Sequence, residues 1–189
     1  MPELGTSLTA LVDLNVWLAL AYDGHVHHLA AVSWFEKGEG ENAAFCRITQ
    51  LGLLRLLTNR TVMGRFALNQ RDAWKCYEQL RLDDRVVFLD EPPSLEPVWR
   101  RLTRSGKPEP GTWTDAYLAG FAIAARVSFV TFDRGFSRYG QLPLTLLSNP
   151  TSRSFSFLFT PATGSMFSPL AFQSPGVPTC PSVTSVPSV

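Results

Sequence analysis

Short apolar runs alternate with amphipathic segments along most of the chain. The first run, residues 7–12, is β-tolerant throughout, which suits a strand covered on both faces of a parallel sheet. Comparable runs predict further strands at residues 43–46, 86–89, 127–131 and 142–147. Because helical patterns lie between these runs, we predict an α/β fold with three layers, α/β/α, and a central parallel sheet with right-handed crossovers.

The helical segments carry more specific expectations. The helix at residues 27–37 is expected to turn four side chains inward, namely Leu29, Val32, Trp34 and Phe35. Thr49 and Ser94 are each placed as the N-cap of the helix that follows them. Residues 59–69 are expected to form a loop.

The helix at residues 49–58 is nearly apolar all round. Its leucines are Leu51, Leu53, Leu54, Leu56 and Leu57. One helix packed on one sheet buries only a stripe of its surface, so part of this helix is expected to lie in a core or in an interface between subunits.

Composition changes after residue 149. Residues 151–189 contain no Asp or Glu and a single base, Arg153, while Ser, Thr and Pro crowd the segment. No strand or helix template fits it for long, and this composition is typical of disorder. We therefore expect one ordered domain at residues 1–149 and a low-complexity, disordered C-terminal tail at residues 150–189.

Charge and cysteine content exclude several classes of protein. The formal net charge is +1, so any binding of nucleic acid must come from a local basic patch. The cysteines Cys46, Cys76 and Cys180 are odd in number and widely spaced, which argues against a disulfide framework or a structural zinc site. There is no signal-peptide pattern, and no apolar run approaches the ~20 residues of a membrane span. We expect a soluble, cytoplasmic protein without membrane contact.

Three carboxylates mark one edge of the predicted sheet. Asp13 and Asp133 follow predicted strands, and Asp115 stands where a helix is expected to begin. Ligands of open α/β sheets bind outside the carboxyl ends of the strands, and converging acids repel unless a cation joins them. Such hard oxygen ligands suit Mg²⁺ or Mn²⁺, which can activate water for attack on a phosphodiester. The alternative is that Asp13 or Asn15 merely caps the next helix.

Four segments together resemble a PIN domain of the VapC toxin type, namely residues 12–20, 46–59, 114–119 and 131–135. The resemblance implies a PIN-like fold and a Mg²⁺-dependent endoribonuclease that cleaves RNA. It also implies the toxin of a type II toxin–antitoxin pair, a homodimer held inactive by its cognate antitoxin. By motif, Asp13 and Asp115 would be metal ligands and Asp133 the third acid of the catalytic site.

The chain departs from the family pattern in the helix after the second strand. Many PIN domains carry a glutamate there, whereas residues 49–57 contain none. Asn15, Thr49 and Gln50 are the candidates to support the site with neutral groups. The lost charge weakens any two-metal arrangement.

Two other functions stay open at this point. A haloacid-dehalogenase-like phosphatase also begins with an aspartate at a strand end, but it needs a second aspartate where this chain has Asn15. A catalytically impaired PIN-fold binding module would fit the missing glutamate.

Because the chain is close to neutral, affinity for RNA must come from individual bases near the acids. The candidate RNA-phosphate contacts are Arg47, Arg55, Arg134 and Arg138. Each of them could instead form a salt bridge with a local acid.

Overall fold

The computed structural model describes residues 9–38, 41–104 and 110–149 of the chain. The predicted tail at residues 150–189 lies outside the described residues. So does the first part of the strand predicted at residues 7–12.

The centre of the fold is a parallel sheet of five strands in the order β3-β2-β1-β4-β5. The strands are β1 (Thr9–Val12), β2 (Asn42–Phe45), β3 (Val86–Phe88), β4 (Ser128–Thr131) and β5 (Leu144–Leu146). In the middle of the sheet, Leu11 pairs with Ala44 on one side and with Phe129 on the other. The register therefore places the carboxyl ends of β1, β2 and β4 next to one another at one edge.

Helices cover both faces of the sheet. They are α1 (Leu14–Ala21), α2 (His28–Lys37), α3 (Arg47–Leu57), α4 (Arg60–Met63), α5 (Gln70–Leu80), α6 (Leu95–Thr103) and α7 (Pro110–Ala125). Two 3₁₀ segments, Gly64–Phe66 and Arg134–Arg138, complete the described elements. This arrangement confirms the predicted three-layer α/β/α fold.

Each face of the sheet has its own hydrophobic core. Helices α1, α2, α3 and α5 pack on one face, where the rings of Trp17 and Phe45 stack with centroids 3.7 Å apart. Helices α6 and α7 pack on the other, where Phe129 contacts Phe136 at 4.6 Å. Strand β1 contributes side chains to both cores, which explains why its apolar residues do not alternate with polar ones.

The inward face predicted for α2 is partly wrong. Leu29 is 77% exposed, whereas Ala30 and Ala31 are buried together with Phe35. Helix α2 packs against α1, and its buried stripe follows these small residues because they allow a close approach between the two helices. Leu29 lies on the other side of α2.

Residues 59–69 are also more regular than predicted. They contain α4 and a 3₁₀ segment instead of an uninterrupted loop. The Asn59 side chain accepts a hydrogen bond from the amide of Thr61 at 2.8 Å and so caps α4. A side-chain cap of this kind satisfies the free amides of a short helix in an otherwise polar segment.

Two helix starts differ from the prediction. Helix α7 begins at Pro110, four residues before Thr114, and proline is favoured at a first helical position because the amide it lacks is not needed there. Ser94 does occupy the N-cap of α6, but its side chain makes no capping hydrogen bond. No helix built by the described residues is long and apolar enough to cross a bilayer.

Candidate active site

Asp13 ends β1 and begins α1, and its side chain is 7% exposed. Its Oδ1 accepts a hydrogen bond from the amide of Leu14 at 2.7 Å, so the capping role left open by the sequence is real. Its Oδ2 accepts one from Thr131 Oγ1 at 2.5 Å. Burial raises the pKa of Asp13 to about 6, and the charges of Asp115 and Asp133 add to the rise. Asp13 is thus both a cap and an electrostatically perturbed acid.

Thr131 joins the groups around Asp13, and sequence reasoning assigned it no role. It is the last residue of β4 and is fully buried. While donating to Asp13, its hydroxyl oxygen accepts from Asn15 Nδ2 at 3.0 Å and from the amide of Asp133 at 2.9 Å. Its signal was present in the sequence, because it is a polar residue at a strand end directly before Phe132 and Asp133.

Asp133 opens the 3₁₀ segment that follows β4. It is exposed, and its Oδ1 accepts from the amide of Gly135 at 2.7 Å. This short turn carries Arg138 back towards α7. Asp133 therefore also acts as a cap.

Asp115 has a different environment from Asp13, because a guanidinium lies beside it. Arg138 Nη2 is 2.8 Å from Asp115 Oδ2 and 2.9 Å from Tyr139 Oη. Burial raises the pKa of Asp115, Arg138 works against that rise, and Asp133 adds to it. Of the two roles open to Arg138 in the sequence, the structure shows the salt bridge with a local acid.

The charges of Asp115 and Asp133 raise the pKa of Asp13, and the charge of Asp133 raises that of Asp115. Their carboxylate chemistry suits a hard divalent cation. Even so, no three His, Cys, Asp or Glu side chains in the described part of the chain are grouped closely enough to hold a metal ion. In this structure Asp115 is paired with Arg138, and Asp133 accepts a hydrogen bond from the Gly135 amide.

Of the supporting residues proposed from the sequence, Asn15 is linked to Asp13 through the hydroxyl of Thr131. Thr49 is not the N-cap of α3; that position belongs to Cys46. Thr49 Oγ1 accepts from the Cys46 amide at 3.0 Å, and Gln50 Oε1 accepts from Arg47 Nη1 at 2.5 Å. Both side chains are buried, and these oxygens are already used within the first turn of α3.

The four candidate arginines have different environments. Arg134 and Arg138 lie on the 3₁₀ segment beside the acids, and Arg134 is exposed without a hydrogen bond or ion pair to any residue that the structure describes. Arg47 packs over the ring of Phe88 at 4.7 Å. Arg55 lies in the last turn of α3, in a groove with Trp74, and is not grouped with the acids.

Two further groups at this edge were missed by sequence reasoning. Tyr117 Oη donates to Glu91 Oε2 at 2.7 Å, and burial together with this bond raises the pKa of Tyr117. His27 stacks on Phe132 at 4.4 Å, and its Nδ1 lies 2.7 Å from Asn149 Oδ1. Both pairs join residues that are distant in the chain, so no local pattern could have indicated them.

Comparison with known proteins agrees with this geometry. The PIN domain model matches residues 10–142. Ribonuclease VapC41 of Mycobacterium tuberculosis is 46% identical over 143 residues, covering 73% of this chain and 98% of that protein. Ribonuclease VapC38 of the same species is 33% identical over 144 residues, covering 72% and 94%. The chain belongs to the PIN domain family, and its resemblance to the VapC type is confirmed.

Solved structures support the same fold. VapBC2 from Rickettsia felis, bound to a DNA fragment from its promoter, matches with a TM-score of 0.57 and 14% identity, covering 75% of this chain and 100% of that one. VapC20 of Mycobacterium tuberculosis, a toxin that cleaves the sarcin–ricin loop, matches with a TM-score of 0.52 and 21% identity, covering 71% and 97%. At these identities the likeness concerns the fold alone.

Proposed function

We propose that this protein is a Mg²⁺-dependent endoribonuclease and the toxin of a type II, VapBC-like toxin–antitoxin pair. The observation that carries the proposal is the buried Asp13. Burial raises its pKa to about 6, and the negative charges of Asp115 and Asp133 add to that rise. Perturbed acids of this kind concentrate at functional sites. The named ribonucleases among its relatives give the reaction class.

Asp13, Asp115 and Asp133 are the residues that would hold Mg²⁺ or Mn²⁺. The bound metal would supply an activated water and offset negative charge on the phosphate being attacked. The protein's own groups prepare this site, because Thr131 and Asn15 hold the end of β4 against Asp13. Asp13 binds a cation only as the carboxylate, so we expect activity to increase as the pH rises through about 6.

The positive groups beside the acids would bind the RNA backbone. Arg134 is free to meet a phosphate, whereas Arg138 must leave or share Asp115 to do so. In the protein without RNA, Arg138 offsets the charge of Asp115 and so limits repulsion among the acids. These two arginines supply the local basic patch that a chain of net charge +1 requires.

A second candidate function is a PIN-fold binding module with impaired catalysis. Two observations favour it. Helix α3 has no acid between Arg47 and Leu57, and Asp115 and Asp133 are each already bound, to Arg138 and to the Gly135 amide respectively. The absent acid on α3 also favours one metal over two. The phosphatase alternative has no support from the family match.

The proposed partners are a cognate antitoxin and a second copy of the chain. Two of the structural matches, VapBC2 from Rickettsia felis and VapBC-1 from Haemophilus influenzae, carry names of toxin–antitoxin pairs. On α3, Leu53 and Leu57 are buried in the core while Leu51 is 51% exposed, so Leu51 remains available for an interface. We place the protein in the cytoplasm; its described cysteines, Cys46 and Cys76, are both buried.

The test is cleavage of RNA by the purified full chain, with Mg²⁺ and with EDTA. We expect cleavage with Mg²⁺ only, and a loss of at least ~100-fold in Asp115→Asn, because the variant removes a charged group from the reaction centre. Asp72→Asn is the matched control, since Asp72 is a surface acid on α5 paired with Lys75. Cleavage that persists in EDTA would refute metal dependence. Metal binding without any cleavage would favour the binding module.

A further inference from the structure

An aromatic groove lies between α6 and the first turns of α7. It is lined by Glu96, Trp99, Arg100, Thr103 and Trp113, and its volume of about 420 Å³ falls within the range typical of ligand sites. Trp113 is 61% exposed. Its backbone carbonyl is held by Trp99 Nε1 at 3.2 Å, so the chain is fixed there while the ring stays in solvent. A large exposed ring on a fixed backbone is typical of a binding surface.

A chain of contacts leads from the groove towards the carboxyl edge of the sheet. The ring of Trp99 meets Trp113 edge-on at 6.2 Å and meets Tyr117 at 5.5 Å. Tyr117 in turn donates its hydroxyl hydrogen to Glu91, in the segment after β3. Asp115 stands between Trp113 and Tyr117 in the sequence of α7, so the groove and this acid share the first turns of the same helix.

The charges around the groove suit an anionic ligand. Glu96 is already paired with Arg100 at 2.6 Å. Arg101 reaches Gln141 at 3.3 Å, which leaves its charge unopposed. Arg104, one helical turn beyond Arg100, has no side-chain hydrogen bond or ion pair with the residues that the structure describes. Exposed rings interleaved with arginines bind single-stranded nucleic acid by stacking bases and holding phosphates.

We propose that the Trp99–Trp113 groove is a stacking subsite for an unpaired base of the RNA, next to the phosphodiester that would be cut. The inference rests on the proposed ribonuclease function and adds a binding position to it. Because every base has a π-face, the subsite would select unpaired RNA over duplex without selecting a sequence.

A second tryptophan groove gives a control on the same molecule. Trp74 is 47% exposed and lines a groove between α3 and α5 with Arg55 and Arg71. The composition resembles that of the Trp99–Trp113 groove, but this groove lies at the far end of α3 from the acids. This groove also offers an exposed ring and arginines, so it tests whether those features alone are enough to bind RNA.

The experiment measures binding of a short single-stranded RNA by the full chain in EDTA, where metal-dependent cleavage cannot proceed. We expect Trp113→Ala to raise the dissociation constant about tenfold, Trp113→Phe to keep most of the affinity, and Trp74→Ala to change nothing. RNA should quench tryptophan fluorescence, and Trp113→Ala should lose most of the quench. Arg104→Gln should lower the salt dependence of binding.

The outcomes separate this inference from the function on which it rests. If the unmodified protein cleaves and binds RNA but Trp113→Ala binds equally well, the subsite is wrong and the ribonuclease stands. If the unmodified protein neither cleaves nor binds RNA, both fail. Equal losses in Trp113→Ala and Trp74→Ala, or equal binding of duplex RNA, would also overturn the subsite. So would a Trp113→Ala defect confined to binding a protein partner.

Discussion

Two carboxylates at the same edge of the sheet accommodate their charge in different ways. Asp13 is buried and accepts hydrogen bonds from a neutral hydroxyl and a backbone amide, and burial raises its pKa to about 6. Asp115 is a third exposed at its side chain and lies 2.8 Å from the guanidinium of Arg138. Burial thus favours the protonated form of Asp13, whereas Arg138 offsets part of the same effect at Asp115.

This difference indicates how three acids can stay near one another in a folded protein without a cation. Partial protonation of Asp13 and the ion pair of Asp115 each lower the repulsion. A bound cation would make both the protonation and the ion pair unnecessary, because it favours the charged form of every carboxylate it contacts. Neutralising Asp13 and neutralising Asp115 should therefore change the stability of the metal-free protein by different amounts.

The largest difference should appear in stability without metal. The folded-state pKa of Asp13 is raised from 3.8 to about 6, so ionising it costs stability as the pH rises through that window, and the loss is complete above it. Asp13→Asn should remove this loss and stabilise the protein at neutral pH by at most ~3 kcal/mol, less any misfit of the amide against Thr131.

Asp115→Asn should have a smaller effect in the same direction. The pKa of Asp115 is also raised by burial, but the partly exposed ion pair with Arg138 works against that rise, so we expect a change of less than ~1 kcal/mol. Urea unfolding of both variants in EDTA, from pH 4 to pH 8 in steps, checks the pair of predictions. Stability changes of equal size in the two variants at neutral pH would show that the two acids are not in different environments.

A smaller effect is expected when the link between β1 and β4 is removed. Thr131→Val keeps the shape of a fully buried residue but removes the hydroxyl shared by Asp13, Asn15 and the Asp133 amide. Unsatisfied buried groups should cost ~1–3 kcal/mol in the free energy of unfolding. The variant should also raise the pKa of Asp13 further, because the Thr131 bond lowers it.

Thr58→Val is the control for this change. Thr58 Oγ1 donates to the carbonyl of Leu54 at 2.9 Å, far from the acids. We expect its replacement to change stability by less than ~0.5 kcal/mol. Equal losses in the two variants would mean that Thr131 has no special part in the site.

The smallest effect concerns the RNA backbone. Arg134→Ala should weaken RNA binding at low salt and lower the slope of log K against log salt by ~1, without changing metal affinity. Arg55→Ala should leave the slope unchanged, because Arg55 lines the groove of Trp74 and not the acidic edge. An unaltered slope in Arg134→Ala would remove Arg134 from the substrate surface.

The acids were predictable where their position followed from local pattern. Asp13 and Asp133 come directly after apolar runs, and parallel strands bring their carboxyl ends to one edge. The role of Arg138 stayed undecided, because a guanidinium near acids can meet either a carboxylate or a phosphate. Arg55 was grouped with the acids by nearness in the chain, but the length of α3 carries it away from them.

The sequence by itself determined the layers, the parallel sheet and the edge that carries the acids, because periodicity and strand ends are local properties of the chain. Only the tertiary structure decided the partner of each acid. Thr131 is 118 residues from Asp13, and Arg138 is 23 residues from Asp115. The pKa of Asp13 likewise depends on burial by several elements at once, and no short segment encodes that environment.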